Sequence, residues 1–440
     1  MSARLVVFLV LLLPAIVAIT GFVAHRAGGA AGLPRRGRWG VAIAIWLALS
    51  APIVLRVLHL LEEGYGPAML GFAVAFTCLL ALPWILLTDL ASFLARMRAN
   101  GRVITQAIEA SSQDPIRSAS EQQEPAREAP VGSSARAPTS PEPSTEPPLA
   151  RREVIRRVGV GASLVMGGGS TAYGMSFGRH DYALEEQTFH LARLPRTLDG
   201  FTIAQLSDVH IGAFVGDPEL RAAEALVRRA RPDLIVLTGD LIDHDVRYTP
   251  RLGAFVRRLV ALGVRDGVVA IPGNHDYYAG IDEVLATLRD AGARVLRNEG
   301  VLVPDGERAS AAEITRGFSL LGTDDVWARR YGSEGGADLP STLAAARPEL
   351  ARVLLCHNPE LFPEAAGQVD LQLSGHTHGG QVRYVGVRPA ELFLRHGFVM
   401  GRYERDGSQL YVNRGFGTAG PPIRLGTPPE VSRIVLASRA

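Results

Sequence analysis

Apolar residues are distributed very differently in the first and last parts of the chain. The first hundred residues contain three long apolar runs, at 4–23, 39–61 and 67–94. Each run is long enough to cross a bilayer as a helix. From residue 180 onward, short apolar runs of strand length alternate with amphipathic segments, as is typical of an α/β domain. The pattern therefore predicts an all-α transmembrane region of three helices, residues 1–98, and a globular domain, residues 180–440.

Residues 99–150 separate these two parts. The segment is dominated by Pro, Ser, Glu and Ala and contains no aromatic residue. A segment of this kind cannot bury enough apolar area to offset the entropy lost on ordering. We therefore expect a disordered linker.

The segment 151–179 determines on which side of a membrane the globular domain lies. Four arginines, in RREVIRR, precede a glycine-rich and weakly apolar run. The segment can be a fourth membrane helix, a twin-arginine-like export signal, or a stretch that does not cross. The arginine-rich loop 24–38 and the arginines after residue 95 belong in the cytoplasm by the positive-inside rule. Either crossing interpretation then predicts a multi-pass protein of the bacterial cell membrane with an extracytoplasmic domain.

Overall charge and cysteine content exclude some kinds of site. The formal net charge is only +2, so the charge balance predicts no general affinity for nucleic acid. The chain has two cysteines, Cys78 and Cys356, which lie far apart in apolar runs. They form neither a disulfide framework nor a CxxC metal site.

The globular part is predicted to be a sheet protein with interspersed helices. Helices are expected at 217–230, where Pro218 stands at the first helical position, and at 281–290. The predicted strands are 201–208, 233–240, 268–276, 353–359, 370–378, 409–415 and 432–437.

Polar side chains cluster where these predicted strands end, which is where ligand sites collect in open α/β sheets. The candidate residues are Asp208, His210, Asp240, Asp243, Asn274, His275, Asp276, His357, His376 and His378. Any one of them also has an ordinary interpretation as a turn or capping residue. Carboxylate, imidazole and amide groups without thiolate favour a borderline divalent metal at an open catalytic site over structural zinc.

The segment GHTHGGQV carries the most concentrated signal. If the strand before it continues, His376 and His378 are two positions apart and point to the same side. Gly375, Gly379 and Gly380 allow the backbone to pass close to whatever is bound there. We therefore expect both histidines to face one centre.

Four motifs occur in a fixed order: DVH, GDLID, GNHD and GHTH, with His357 in CHNP before the last. Together they resemble the calcineurin-like metallophosphoesterase family over residues 182–438. The resemblance implies an α/β/β/α sandwich and two divalent metal ions, drawn from Mn, Fe, Zn and Co. It also implies the ligand sets: Asp208, His210 and His378 for one metal, Asn274, His357 and His376 for the other, and Asp240 as the bridge.

The resemblance further implies a mechanism. A hydroxide that bridges the metals would attack phosphorus in line with the leaving group. His275 would protonate the leaving oxygen or stabilise the transition state. Asp243 and Asp276 would orient imidazoles, although ordinary helix or turn capping explains them equally well.

The apolar N-terminal runs, GHTHGGQV and the closing GFGTAGPPIRLGTPPE look like the bacterial membrane-bound or exported branch of this family. Our leading hypothesis is a membrane-anchored phosphohydrolase, specifically a phosphodiesterase. Some relatives of that branch are linked by resemblance to cleaving the pyrophosphate of UDP-2,3-diacylglucosamine, a lipid A precursor. The first alternative is therefore a UDP-2,3-diacylglucosamine pyrophosphatase-type hydrolase of lipid A or glycolipid metabolism, which acts on a lipid-linked phosphoester substrate. The second alternative, from another class, is a non-catalytic module that binds metal.

Overall fold

The computed structural model describes residues 13–44, 73–94, 97, 151–305, 316–333 and 335–438. The linker predicted at 99–150 lies wholly outside the described residues, as do parts of all three apolar runs. The chain forms two compact units. One comprises residues 1–51 and 74–168, and the other comprises residues 52–73 and 169–440.

The first unit is helical wherever it is described. Its helices are α1 (Leu13–Ala30), a helical stretch at 35–44, and α2 (Ala73–Leu94). Among the described residues, α2 is the one helix long and apolar enough to cross a membrane. Length and composition alone are weak support, because a buried core helix meets the same criterion. The three-helix membrane region therefore stays a prediction.

The segment 151–179 is helical over most of its length. Helix α3 (Arg151–Ser176) has Glu153 in its first turn, and the carboxylate of Glu153 accepts hydrogen bonds from Arg156 and Arg157. Several of its apolar side chains are exposed, among them Val158 at 64% and Val165 at 74%. All three interpretations of this segment agree with a helix here, so whether it crosses a membrane stays a prediction.

The second unit contains two six-stranded sheets. The first sheet has the order β1-β12-β2-β3-β4-β5 and the second the order β10-β11-β9-β8-β7-β6. Strands β2 to β5 are mutually parallel, as are β7, β8, β9 and β11. The strand bounds are β1 Ala183–Leu191, β2 Phe201–Leu206, β3 Leu234–Thr238, β4 Val268–Ile271, β5 Arg294–Val295, β6 Glu299–Pro304, β7 Gly317–Gly322, β8 Ala351–Leu355, β9 Leu371–Ser374, β10 Gly401–Arg405, β11 Ser408–Val412 and β12 Glu430–Ser438.

Alternation along the strands builds a layered core. In β3, Leu234 and Val236 join the apolar cluster between the sheets, whereas Ile235 and Leu237 pack under the helices of the first sheet. The helices of this unit are α4 Asp217–Ala230, α5 Thr249–Val260, α6 Asn274–Ala279, α7 Ile281–Asp290, α8 Leu339–Ala344 and α9 Phe362–Ala365. Helices α4, α5 and α7 cover the first sheet, and α8 and α9 lie against the second. The predicted α/β fold with two sheets is confirmed.

Helices α4 and α7 have the predicted bounds, but six of the seven predicted strands end earlier than predicted, among them β4 and β9. Strand β4 ends at Ile271 before Pro272-Gly273, and α6 begins at Asn274. Strand β9 ends at Ser374, so the segment GHTH is not extended. The prediction also missed β1, β5, β6, β7 and β10. Strand β7 is buried on both faces, as β2 is, so an apolar run rather than alternation is the pattern that marks it.

Candidate dinuclear metal centre

The C-terminal ends of five parallel strands meet at one edge of the sandwich. Strands β2, β3 and β4 lead there from the first sheet, and β8 and β9 lead there from the second. Within the described residues, the histidines and carboxylates at these ends form groups whose ligand atoms lie within 4.8 Å of one another. The motif residues are therefore brought together, although their distances in sequence are large.

The first cluster consists of Asp208, His210 and His378. His210 Nε2 lies 3.0 Å from His378 Nε2, and His378 Nε2 lies 3.2 Å from Asp208 Oδ1. All three residues are at most 3% exposed. Two imidazole nitrogens that bind one cation at about 2.1 Å lie about 3.0–3.4 Å apart, so this spacing suits a shared cation.

The second cluster consists of Asp240, His357 and His376. His357 Nε2 lies 3.1 Å from Asp240 Oδ2 and 3.3 Å from His376 Nδ1. The same Asp240 Oδ2 lies 3.7 Å from His210 Nε2 of the first cluster. One carboxylate oxygen therefore faces imidazoles of both clusters.

Several of these residues have an unusual backbone conformation. Positive φ is found at Asp208, His210, Asp240, His376 and His378, with values between 50° and 71°. Non-glycine residues rarely adopt this region, and each instance costs on the order of 1 kcal/mol or more. Positive φ turns His376 to the second cluster and His378 to the first. The expectation that an extended segment points both at one centre is wrong for that reason.

Two motif glycines allow the strand ends to approach closely. A Cβ at Gly375 would overlap Ser207 Oγ and the carboxylate of Asp208. Gly239 has a φ of +87°, and a Cβ there would lie 2.8 Å from His357 Nδ1. A larger residue at either position would separate strand ends that carry different predicted ligands.

The donor set fits two cations. Asn274 Oδ1 is buried and has no hydrogen-bond partner among the described residues, so it is available as a ligand. His357 Nδ1 lies 2.8 Å from Thr238 O and must donate to it, which directs the lone pair of Nε2 at Asp240. An imidazole lone pair and a carboxylate repel each other unless a proton or a metal cation lies between them.

Burial and close opposite charges perturb the acids and bases of the site. Burial disfavours ionisation of Asp240, yet the imidazoles of His357 and His275 hold its pKa well below the usual range. Burial also raises the pKa of Asp208. For His275, burial lowers the pKa, but Asp240 and Asp243 outweigh that effect and raise it to about 9.

His275 and Asp243 lie beside the two clusters and contact their members. His275 donates from its backbone N–H to Asp240 Oδ1 at 2.7 Å and from Nδ1 to Asp243 O at 2.9 Å. The Asp243 carboxylate lies 3.6–3.7 Å from the Nδ1 atoms of His210 and His275 and 2.6 Å from that of His244. The Asp243 carboxylate therefore lies within reach of three imidazoles, and its role in orienting them stays a prediction.

The hydrogen bonds of Asp276 go to the backbone. Its carboxylate accepts hydrogen bonds from the backbone N–H groups of Leu241, Ile242 and Gly273 at 2.8–3.2 Å. These contacts correspond to the capping alternative. Asp276 thereby fixes the two turns that carry Asp240 and Asn274.

Comparison with known proteins agrees with this geometry. Residues 201–380 match the model of the calcineurin-like phosphoesterase family. An uncharacterized metallophosphoesterase from Aquifex aeolicus is 32% identical over 259 residues, covering 58% of this chain and 92% of the relative. The uncharacterized metallophosphoesterase YkuE of Bacillus subtilis is 29% identical over 298 residues, covering 66% of this chain and 98% of the relative.

This chain belongs to the calcineurin-like metallophosphoesterase family. The predicted family is thereby confirmed, and its members are phosphoester hydrolases that bind divalent metals. A transmembrane protein with a metallophosphoesterase domain from Danio rerio is 33% identical over 250 residues, covering 56% of this chain and 55% of the relative.

This metallophosphoesterase also carries an acid that the sequence analysis missed. Asp325 follows β7 and is 1% exposed. Its Oδ1 accepts the Trp327 N–H at 2.8 Å, whereas Oδ2 has no partner among the described residues. The Trp327 ring packs edge-to-face on His376 at 4.5 Å. The signal was present in SLLGTDD, an apolar run followed by acids as in VLTGD.

Asp325 should weaken the metal-free fold at neutral pH. Burial raises the pKa of its carboxyl to about 6, with Asp240 adding to the effect and His357 opposing it. The contribution of Asp325 to the free energy of unfolding is highest below pH about 4, where its carboxyl is protonated. It falls as the pH rises through about 6, because the buried carboxyl then ionises. The loss is at most about 3 kcal/mol. Asp325→Asn should therefore raise the melting temperature of the metal-free protein at pH 8 and not at pH 4.

The exposed acid Asp282 offers a matched control. Asp282→Asn should leave the melting temperature nearly unchanged at both pH values. A lower melting temperature for Asp325→Asn than for the wild type at pH 8 would contradict this account of Asp325.

Proposed function

We propose that this metallophosphoesterase is a phosphodiesterase that works with two divalent cations. Asp208, His210 and His378 would hold one cation, and Asn274, His357 and His376 the other, with Asp240 between them. The observation that carries the proposal is the position of Asp240 Oδ2, 3.7 Å from His210 Nε2 and 3.1 Å from His357 Nε2. A carboxylate shared in this way suits a pair of cations about 3.5–4 Å apart.

The cations, when bound, would supply Lewis-acid chemistry by neutralising phosphoryl oxygens and lowering the pKa of water. The protein residues would fix the geometry of that chemistry. Because Nδ1 of His275 is committed to Asp243 O, its Nε2 is the nitrogen left to hold a proton. In the absence of bound cations, Asp240 and Asp243 raise the pKa of His275 to about 9, which favours the protonated imidazole at neutral pH. His275 is therefore suited to donate a proton to the leaving oxygen.

Charge favours a diester as the substrate class. Arg424 Nη2 lies 3.3 Å from His378 Nδ1, but its guanidinium donates to backbone carbonyl groups. It is therefore not free to pair with the second negative charge of a monoester. A diester carries one negative charge at the reacting phosphorus, which two cations can neutralise.

Removing His275 should separate catalysis from metal binding. With Mn²⁺ added, the wild type should hydrolyse bis-p-nitrophenyl phosphate. His275→Ala should lower kcat by roughly 10²–10⁴-fold because it removes a general acid. Its content of Mn²⁺, measured by elemental analysis, should stay at the wild-type value. Asp240→Asn should lose both turnover and bound metal.

His190→Ala is the control, since His190 is exposed on β1 and lies outside both clusters. It should retain full activity and metal content. If the His275→Ala variant and the Asp240→Asn variant each retain full turnover, the assignment of the site is refuted. Two bound metal ions without turnover on any phosphoester, monoester or diester, would instead support a non-catalytic module.

We also propose that the N-terminal unit anchors the enzyme in a membrane. Helix α2 exposes a row of large apolar side chains, including Leu86, Leu87, Leu90 and Phe93, each at least 51% exposed. Exposure of this kind suits contact with lipid better than contact with water. The relative from Danio rerio is named a transmembrane protein, which agrees with an anchor. An anchored site would suit an amphiphilic, lipid-linked phosphoester.

The side of the membrane can be tested with a reporter fused after Ala440. If α3 crosses the membrane, alkaline phosphatase at this position should be active and a cytoplasmic reporter such as green fluorescent protein should be dark. The same fusions placed after Arg102, which the positive-inside rule assigns to the cytoplasm, should give the opposite result. Fluorescence at both positions would place the catalytic domain in the cytoplasm and favour a nucleotide-linked lipid substrate.

A further inference from the structure

Arg424, in the closing segment PPIRLG, is a fully buried arginine without an ion pair among the described residues. Its guanidinium donates to backbone carbonyl groups. Nε lies 3.0 Å from Gly417 O, and Nη2 lies 3.0 Å from Gly415 O. Nη1 lies 2.8 Å from Arg414 O and 3.4 Å from both His378 O and Thr427 O. One side chain thus joins three separate segments of backbone.

Two of these segments carry or support the first cluster. His378 is itself a member of that cluster. The loop 414–417 holds the other side, because the N–H groups of Phe416 and Gly417 donate to Ser207 O at 2.9 Å and to Asp208 O at 2.7 Å. Arg424 therefore connects the backbone of His378 to the backbone of Asp208 through the loop.

The loop lies directly behind both side chains. A Cβ at Gly415 would be 2.8 Å from Asp208 Cβ and 3.1 Å from His378 Nδ1. Gly415 has a φ of +73°, a conformation that suits glycine. A small movement of the loop would therefore change the separation of Asp208 from His378.

Asp208 and His378 need the support of this loop because both have a left-handed backbone, with φ of 52° at each. Strained conformations persist where the surrounding structure over-determines them. The planar fork of arginine can reach several carbonyl groups at fixed angles, whereas lysine offers one compact charge. The second cluster is held differently, since His357 is oriented by Thr238 O.

We propose that Arg424 is a positioning residue for one of the two cation sites. It holds Asp208 and His378 at the spacing that the first cation requires, and the second site does not depend on it. This inference rests on the proposed dinuclear centre. It predicts that loss of Arg424 produces a protein that binds one cation instead of two.

The test is a Mn²⁺ titration of the full chain, with bound metal counted by elemental analysis after desalting. The wild type should bind two ions. Arg424→Lys should bind one with unchanged affinity and the second at least 10-fold more weakly, as for other losses of residues that support metal ligands. Arg433→Lys is the matched control, because Arg433 also donates to a backbone carbonyl, Ala230 O at 2.9 Å, but lies outside both clusters.

The outcomes distinguish this inference from the proposed function. A wild type that binds fewer than two ions contradicts the dinuclear centre itself. A wild type and an Arg424→Lys variant that both bind two ions with equal affinity contradict only the role of Arg424, even if the variant melts at a lower temperature.

A second substitution covers the case in which lysine at this position prevents folding. Arg424→Gln keeps two N–H donors without the charge, and it should also bind one ion. If both variants remain unfolded in saturating Mn²⁺, Arg424 supports the whole fold, and the proposal of a role at a single cation site is overturned.

Discussion

The central constraint on this structure is a buried site whose groups repel one another unless a proton or a cation lies between them. Carboxylates and imidazole lone pairs are buried together where two sheets meet, and Asp240 faces both clusters through one oxygen. Without a proton or a metal ion between them, such groups would cost several kcal/mol to bury. The parallel strands, the motif glycines and the left-handed residues can all be understood as means of holding these groups close together.

The same edge of the sandwich shows how stability and function conflict. Asp208 and His378 have strained backbones, Asn274 Oδ1 has no described partner, and Asp325 is buried with one oxygen unpaired. Each feature weakens the fold on its own, which is expected where a site is organised for a ligand. The surrounding layers offset this cost with apolar clusters on both faces of the first sheet. In its proposed role, Arg424 supports these strained residues, directly at His378 O and through the loop 414–417 at Asp208.

Much of this site was readable from the sequence, because apolar strands ending in Asp, Asn or His mark the edge where ligands collect. The strands before Asp208, Asp240 and His357 were predicted on that basis, and the structure has them. Strand periodicity does not predict the direction of a side chain once the backbone has left the strand. It could not show that φ of 71° at His376 and 52° at His378 would send two neighbouring histidines to different clusters.

Long-range contacts also escaped the sequence analysis. Asp325 follows β7, an apolar run that the sequence analysis left out, and Arg424 reaches His378 from 46 residues away. The separation in sequence gives no hint of that contact.

The most direct test of the account is anomalous diffraction from crystals grown with Mn²⁺. Two peaks about 3.5–4 Å apart, with the Asp240 carboxylate between them, are predicted. A single peak, or two peaks that Asp240 does not contact, would contradict it.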